Sequence, residues 1–580
     1  MGTSRFLSGF PEVATEEWES AIRTCVREPD YPAKLVWHAE EGMDVKPYYR
    51  REDLDRLGSL VSDACPACPE LGKRQNSDWR ILEEVDAADS LRANQDALEA
   101  IAAGADEISF RVKGDLDRAY LTQLLGGLDE LPVRLAGLDQ QAAHVTAGWL
   151  RDRPNRGHVS TDIDPLADVH FSAELCRNFP ESRLLCLNAE EYEENGLTST
   201  EQIAFLLSAA VELFDQMQQR DVSVTQAVEA LTFRFSVGPK FFLEIAKLRA
   251  FRLLCAKTLH SFGGGQDFPL AVIYARTARW NKTVYDPHVN VLRATTEAMS
   301  AVFGGADSIT VTPFDECYRT PLKASRALAR NLQLLLKHEA GFARVADPLR
   351  GAYLIEVLTN KVAAGAWKLF QEIEAGGGFS TSKATAFIDR IAERRSADRK
   401  EAVSRRKLAL TGTNRFADVH ELALERTDPE LPNARLRAAQ PFEELRFRSE
   451  RAFLNGGHSR IILAAFGDAR MSEARAQFAA DFFACAGLRT AAVRCDAPLE
   501  VAQVEASLIV LCSSDQEYLP FAKQLMATLS TREQKVNVAI AGNPECAKEL
   551  QGLGIEHFIH VRSNAVDVLS AIQQKLQIGG

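Results

Sequence analysis

The chain has 580 residues, 46% of them apolar, and a formal net charge of −12 from 68 Lys and Arg against 80 Asp and Glu, so it can bury more than one core. No long basic block offers a surface for neutralising phosphates, and no stretch approaches the roughly 20 apolar residues of a membrane span. Nucleic acid and membrane are therefore excluded as partners, and since Met1 to Glu12 lacks the apolar run of a signal peptide, a cytoplasmic protein is expected.

Residues 1–75 are expected to form an N-terminal extension whose stretch from Phe10 to Asp53 is rich in aromatics, with Trp18, Trp37, Tyr48 and Tyr49. It also carries Cys65 and Cys68 at metal or redox spacing, but no second pair or nearby histidine completes a site, and an ordinary loop is expected. The remaining cysteines sit in apolar contexts such as Leu185-Cys186-Leu187 and Val510-Leu511-Cys512, the pattern of buried free thiols.

Residues 76–390 alternate β-rich runs with helical ones. The runs are Glu107–Val112, Val133–Leu138, His158–Asp162, Arg183–Leu187, Thr232–Val237, Leu270–Ala275, Asp307–Thr312 and Ala343–Ala346. Helical stretches lie between them, as in Asp286 to Phe303, where Val289, Leu292, Met299 and Val302 share one face. About eight β/α units match a closed (β/α)8 TIM barrel, with an open doubly wound sheet as the rival.

Residues 391–455 turn charged and helical, then Pro-punctuated around Pro429, Pro432 and Pro441, which predicts a helical linker. Residues 456–580 resume the alternation with strands at Arg460–Phe466, Thr490–Arg494, Ser507–Cys512, Val536–Ala541 and Glu556–Val561. Helices at Met471–Cys485 and Asn564–Gln577 complete a flavodoxin-like doubly wound domain whose first loop, Gly467 to Ser472, is where a ligand would bind. The glycine runs Gly263–Gly265 and Gly376–Gly378 follow helices without the context of a phosphate loop and predict C-caps and hinges.

Several stretches, in order, resemble methylmalonyl-CoA mutase. They are Glu41-Gly-Met-Asp-Val-Lys-Pro-Tyr-Tyr-Arg-Arg-Glu-Asp53, Trp79-Arg-Ile-Leu-Glu-Glu-Val85, Phe241–Ala250 as the long helix before the sixth strand, Asp286–Arg293, Gly304–Ser308, Ala329–Leu334, Arg344–Pro348 and Gly351–Tyr353. The resemblance covers essentially the whole chain. It implies a radical rearrangement between methylmalonyl-CoA and succinyl-CoA, with adenosylcobalamin supplying the radical.

At positions that carry this chemistry in catalytic members, the sequence departs from the family. Tyr274 stands where a substrate-contacting histidine is expected at the end of the sixth strand, and Arg276 replaces a glutamine beside it. Glu84 takes the place of an active-site tyrosine, which predicts repulsion of a carboxylate-bearing substrate in a dry cavity. The cobalamin motif D-x-H-x-x-G becomes Ala469-Arg-Met-Ser-Glu-Ala474, so Ala469, Met471 and Ala474 replace its three anchors, while later signals survive only as Ser513-Ser-Asp515 and Ala541-Gly542. No histidine lies between His458 and His557, and His557 and His560 are expected to be ordinary packed side chains, with Met471 covering core.

The resemblance thus implies a non-catalytic small subunit of a heterodimer. In this reading the chain has no catalytic, cofactor-binding or metal residues of its own, and the catalytic large subunit carries adenosylcobalamin and substrate. The segment from Phe10 to Asp53 is then expected to touch that partner, or else to strap its own barrel. A divergent mutase binding cobalamin without histidine, and a cobalamin-loading chaperone, stay open as alternatives.

Overall fold

A computed structural model describes residues 13–26, 31–55, 57, 77–114, 116–153, 158–262, 269–429, 436–457, 459–531 and 536–578. Cys65, Cys68, His458 and Gly263–Gly265 lie outside the described residues.

Eight parallel strands form the first sheet: β1 (Arg80–Asp86), β2 (Glu107–Arg111), β3 (Val133–Ala136), β4 (Val159–Thr161), β5 (Leu185–Asn188), β6 (Leu231–Val237), β7 (Val272–Thr277) and β8 (Ser308–Thr310). Their hydrogen-bonded order, β4-β3-β2-β1-β8-β7-β6-β5, makes a barrel rather than an open sheet. The last seam is joined by the bridge Ile163–Leu185, with Cys186 N–H donating to Ile163 O at 2.8 Å.

The count of eight matches expectation, but its membership shifts by one. The segment Arg80–Asp86 is the first strand, so Tyr274 lies on the seventh strand and the long helix before it also precedes the seventh. Ala343–Ala346 is no strand: Phe342–Arg344 is a single 3-10 turn entered through Gly341 at a left-handed φ of 71°. A left-handed residue immediately before the run ends any extended pairing there.

Of the surrounding helices, α1 (Ser90–Ala102), α2 (Phe241–Ser261), α3 (Val289–Phe303), α4 (Lys323–Leu334) and α5 (Tyr353–Ala375) matter most below. α2 and α5 pack on each other and are buried because they cover the staves from β6 to β7, where Phe251 meets Phe233 and Phe235 edge-on at 4.8 and 4.9 Å. On α3 Val302 is buried and Met299 packs against the core, as the expected apolar face requires, while Leu292 is 66% exposed, contrary to expectation. The reason is local: Glu297 is buried to receive the Lys282 ammonium at 2.7 Å, which rotates the leucine outward.

Helix α6 (Ser382–Ser404) and a loop lead to α7 (Gln440–Leu454), where the second unit begins. Its sheet has β9 (Ile461–Ala465), β10 (Thr490–Arg494), β11 (Leu508–Cys512), β12 (Asn537–Ala541) and β13 (His557–Ile559), all parallel in the order β10-β9-β11-β12-β13. That is the flavodoxin-like order, with its switch point between β9 and β11. Alternate residues face two cores: Leu508, Val510 and Cys512 pack toward α7, α8 (Ala469–Ala484) and α10 (Ala565–Lys575), while Ile509 and Leu511 pack toward α9 (Tyr518–Leu529). Gly376 caps α5, with Gly377 and Gly378 at positive φ, as their place after a helix predicts. The nine cysteines among the described residues are free thiols, six of them buried.

A buried clamp helps join the two units. Arg437 grips Glu443 of α7 at 2.5 and 3.0 Å and donates to Lys282 O at 3.1 Å, Glu443 also accepts from Val284 N–H at 2.7 Å, and Ala438 N–H reaches Trp280 O at 2.8 Å. Removing one partner of so buried a pair leaves a charge without compensation. Glu443→Leu should therefore lower the unfolding free energy by about 3–5 kcal/mol in urea titrations, and Arg437→Met added to it should recover most of that loss. A single variant indistinguishable from the parent would show that this pair does not stabilise the junction.

Candidate active site and cofactor crevice

In TIM barrels chemistry sits at the carboxyl ends of the strands. Here that end is filled by charge. Glu84 on β1 lies at the centre, and Arg276 of β7 pairs with both its oxygens. Arg111 of β2 reaches it at 2.6 Å, Arg234 of β6 at 3.2 Å and Arg279 at 3.8 Å. Around this centre Arg276 and Arg279 hold Glu316 at 2.8 and 3.1 Å, Arg234 holds Glu190 at 2.7 Å, and Arg279 faces Glu194 at 3.8 Å. Four arginines thus meet four glutamates, and since Arg234 and Arg276 reach Glu84 from strands that do not pair with β1, the network spans the lumen.

Its electrostatics follow from burial and neighbours. Burial alone would raise the Glu84 carboxyl, but Arg276, Arg111, Arg279 and Arg234 outweigh it and hold it well below the usual carboxylate range. Glu316 is likewise opposed by burial and held at about 2 by Arg276, Arg279 and Arg111. Burial and the adjacent Arg276 bring Arg279 down to about 10. The expected repulsion between Glu84 and a substrate carboxylate is therefore corrected: the carboxylate is fully paired with arginines.

A second polar layer lies below. Tyr274, the third residue of β7, points into the lumen nearer the amino end of the strand than expected, and its hydroxyl donates to Glu107 Oε1 at 3.1 Å. Ser308 donates to the other Glu107 oxygen at 2.5 Å, and the Arg134 guanidinium lies 3.6 Å from the Tyr274 ring centre. Burial and Glu107 push the Tyr274 hydroxyl above its ordinary value, so it stays a proton donor. At the strands' amino ends Tyr274 lines a 570 Å³ cavity with Arg80, Arg183, Asp307 and Lys337. Roomy space thus exists at the end opposite the one where barrel chemistry resides.

Arg111, Arg234 and Glu316 were not singled out by sequence reasoning. The available signal was an arginine inside a buried β-run, Phe110-Arg111 and Phe233-Arg234-Phe235: on a strand flanked by buried aromatics, the alternate position faces the lumen.

The second unit shows the same self-filling. After β9, Asp468 caps α8 by accepting from Met471 N–H at 2.8 Å, so Ala469, Met471 and Ala474 lie in the first turns of the helix. Met471 is exposed rather than core-covering, because the inward positions of this helix belong to Ser472, Ala476, Ala479, Phe482 and Phe483. At the switch point the Glu517 carboxylate accepts from the Ser513 and Ser514 hydroxyls at 2.5 and 2.7 Å and from Asp468 N–H at 3.3 Å. These bonds bring its carboxyl to about 2, and a Cβ on Gly467 would collide with it. Arg475 crosses the next gap to Tyr518 OH and Ala541 O, each at 3.0 Å, and to Asp515 at 2.7 Å, against Gly542.

These residues do not fit a cobalamin held by a protein histidine. Glu517 occupies the crevice at the switch point and Arg475 the gap beside it, and the histidines described in this unit, His557 and His560, lie on and just past β13. Burial lowers both of their ring pKa values, which keeps them neutral and packed.

The methylmalonyl-CoA mutase family profile matches residues 162–455. The methylmalonyl-CoA mutase small subunit of Porphyromonas gingivalis is 31% identical, covering 99% of each chain, and that of Streptomyces virginiae is 29% identical over 98% of each. Rhizobium meliloti methylmalonyl-CoA mutase is 27% identical, covering 76% of this chain and 69% of that one.

The lumen network has a pH signature. Glu316 titrates lower in the fold than its ordinary value of 4.5, so its contribution is complete above about pH 4.5 and is lost as the pH falls toward 2. Denaturant titrations between pH 6 and 3 should show the gap between wild type and Glu316→Gln shrinking on acidification by on the order of 1–3 kcal/mol. A gap independent of pH would mean that Glu316 is not held low by these arginines.

Proposed function

Because this chain belongs to the methylmalonyl-CoA mutase family, we propose that it acts there as the non-catalytic subunit of a heterodimer, holding the fold while a large subunit carries adenosylcobalamin and substrate. The observation that carries this reading is the lumen itself. Where a catalytic barrel would keep room for a substrate, Glu84, Arg276, Arg234, Arg279 and Glu316 fill the space with mutually satisfied ion pairs. Opening it would cost the desolvated network its compensation, several kcal/mol per stranded charge. The filled switch point of the second unit supports the same conclusion for the cofactor.

In this reading the chain works in the cytoplasm and contributes by association: a partner that binds only the folded large subunit shifts that subunit toward its folded state. The N-terminal segment packs on its own barrel through Glu40–Lys240 at 2.8 Å and Lys361 to Asp44 O at 2.7 Å, yet it leaves Trp18 and Trp37 exposed. We assign these two side chains to the partner contact.

Two measurements on purified protein test the assignment. The isolated chain, titrated with adenosylcobalamin and followed by its visible spectrum, should show no saturable change and no turnover of methylmalonyl-CoA. Co-expressed with a mutase large subunit, it should elute as a one-to-one complex that turns over. Stoichiometric cobalamin binding by the isolated chain would instead favour a mutase active by itself, and dissociation on size exclusion a loading chaperone.

A further inference from the structure

At the amino ends of the barrel strands, Arg80 and Arg183 line the 570 Å³ cavity from opposite sides. Arg80 opens β1 and Arg183 stands two residues before β5, and in the eight-strand order these two strands lie across the barrel from each other. Tyr274 and Ser308, both buried, line the same space from β7 and β8. Its volume is of the size that holds a small molecule.

The acidic groups at this end already have donors. Asp78 and Asp106 hold the Lys337 ammonium at 2.9 and 3.0 Å, Asp307 takes Arg252 and the Ile273 N–H, each at 2.7 Å, and Glu107 takes the Tyr274 and Ser308 hydroxyls. The arginines are not so provided. Among the described residues Arg183 donates only to the Val228 and Leu231 carbonyls, at 3.4 and 3.2 Å, both from Nη1. Arg80 comes no nearer to a carboxylate than 4.0 Å, at Glu107. Arg134, stacked on the Tyr274 ring, is 1% exposed, and its Nε and Nη1 have no hydrogen-bond partner. Burial lowers the Arg183 guanidinium below its ordinary value; Tyr274, Asp307 and Glu229 oppose this and Arg80 adds to it, so the two like charges sense each other across the cavity.

We propose that this cavity binds a compact oxyanion, a phosphate ion or the phosphoryl group of a small molecule, held by Arg80 and Arg183 from opposite staves of the barrel. A guanidinium presents a planar fork of N–H donors that matches such an anion, and a cation or an apolar ligand would leave those donors unsatisfied. Two forks facing each other call for acceptor oxygens on more than one side, which a tetrahedral phosphate has and a single carboxylate lacks. A phosphoryl group also carries about −1.5 to −2 charge at neutral pH, which balances two guanidiniums. The site stands on its own side chains and does not depend on the small-subunit reading. Bound there, the anion would tie β1 to β5 across the barrel and stabilise the fold by mass action.

The test uses the full chain in a buffer free of phosphate and sulfate, titrated calorimetrically with inorganic phosphate and, separately, with glycerol phosphate. Wild type should bind one equivalent of at least one of them and melt at a higher temperature in its presence. Binding should weaken about 10- to 100-fold in Arg80→Met and in Arg183→Met, and stay unchanged in Arg460→Met, an exposed arginine of the second unit. The Arg80 side chain is more than half exposed, so its variant should fold even if loss of the Arg183 bonds to Val228 and Leu231 unfolds the other. Binding of either probe supports the site, and the tighter one identifies the source as a free anion or a phosphoryl group. Absence of saturable binding to wild type, wild-type affinity in Arg80→Met, or equal weakening in Arg460→Met overturns the proposal.

Discussion

The Glu84 carboxylate, set among Arg111, Arg234, Arg276 and Arg279, decides what this barrel can be. A (β/α)8 lumen must be packed with side chains or kept open for a ligand, and most barrels pack it with Val, Ile and Leu. This one packs it with ions. Such a network is a poor source of net stability, because desolvation consumes most of its Coulomb energy. What it does supply is occupancy: Glu84 is held by arginines from β2, β6, β7 and the segment after β7, so it cannot rotate away without stranding them. The layer below, with Tyr274, Glu107, Ser308 and Arg134, repeats the closure with hydrogen bonds.

The second unit reaches the same end by a shorter route. Its sheet keeps the strand order and switch point of a ligand-binding doubly wound domain, yet two of its own side chains occupy the crevice. Glu517 takes the hydroxyl and N–H donors around Gly467 and Ser513, and Arg475 takes the carbonyl beside Gly542. Glycines that elsewhere admit a ligand here admit a side chain of the same chain. Both halves of the molecule therefore preserve the architecture while their own side chains fill the positions at the carboxyl ends of the strands.

Much of this was legible in the sequence, for identifiable reasons. Seven of the barrel strands and all five of the second sheet announced themselves as β-rich runs, because parallel strands buried on both faces must be nearly continuous in apolar residues. β1 was hidden because it reads Arg80-Ile-Leu-Glu-Glu-Val-Asp86, and its charges are satisfied only by residues far along the chain: Glu83 by Arg330, and Glu84 by Arg276. Ala343–Ala346 had the composition of a strand but follows a left-handed glycine. The sequence points to Glu84 and Tyr274, yet their meaning is not local. Whether Glu84 repels a ligand or anchors a plug depends on four arginines contributed by other strands and loops. The outward turn of Leu292 was likewise unreadable without the buried Lys282–Glu297 pair.

We propose that this chain keeps the mutase architecture and leaves the chemistry to its partner. The most direct measurement is the amount of adenosylcobalamin per purified one-to-one complex, determined by absorbance against quantitative amino-acid analysis after saturation with cofactor. One cobalamin per complex, retained when this chain is exchanged for Glu517→Ala, is the predicted result. Two per complex, one of them lost with a change confined to this chain, would contradict it.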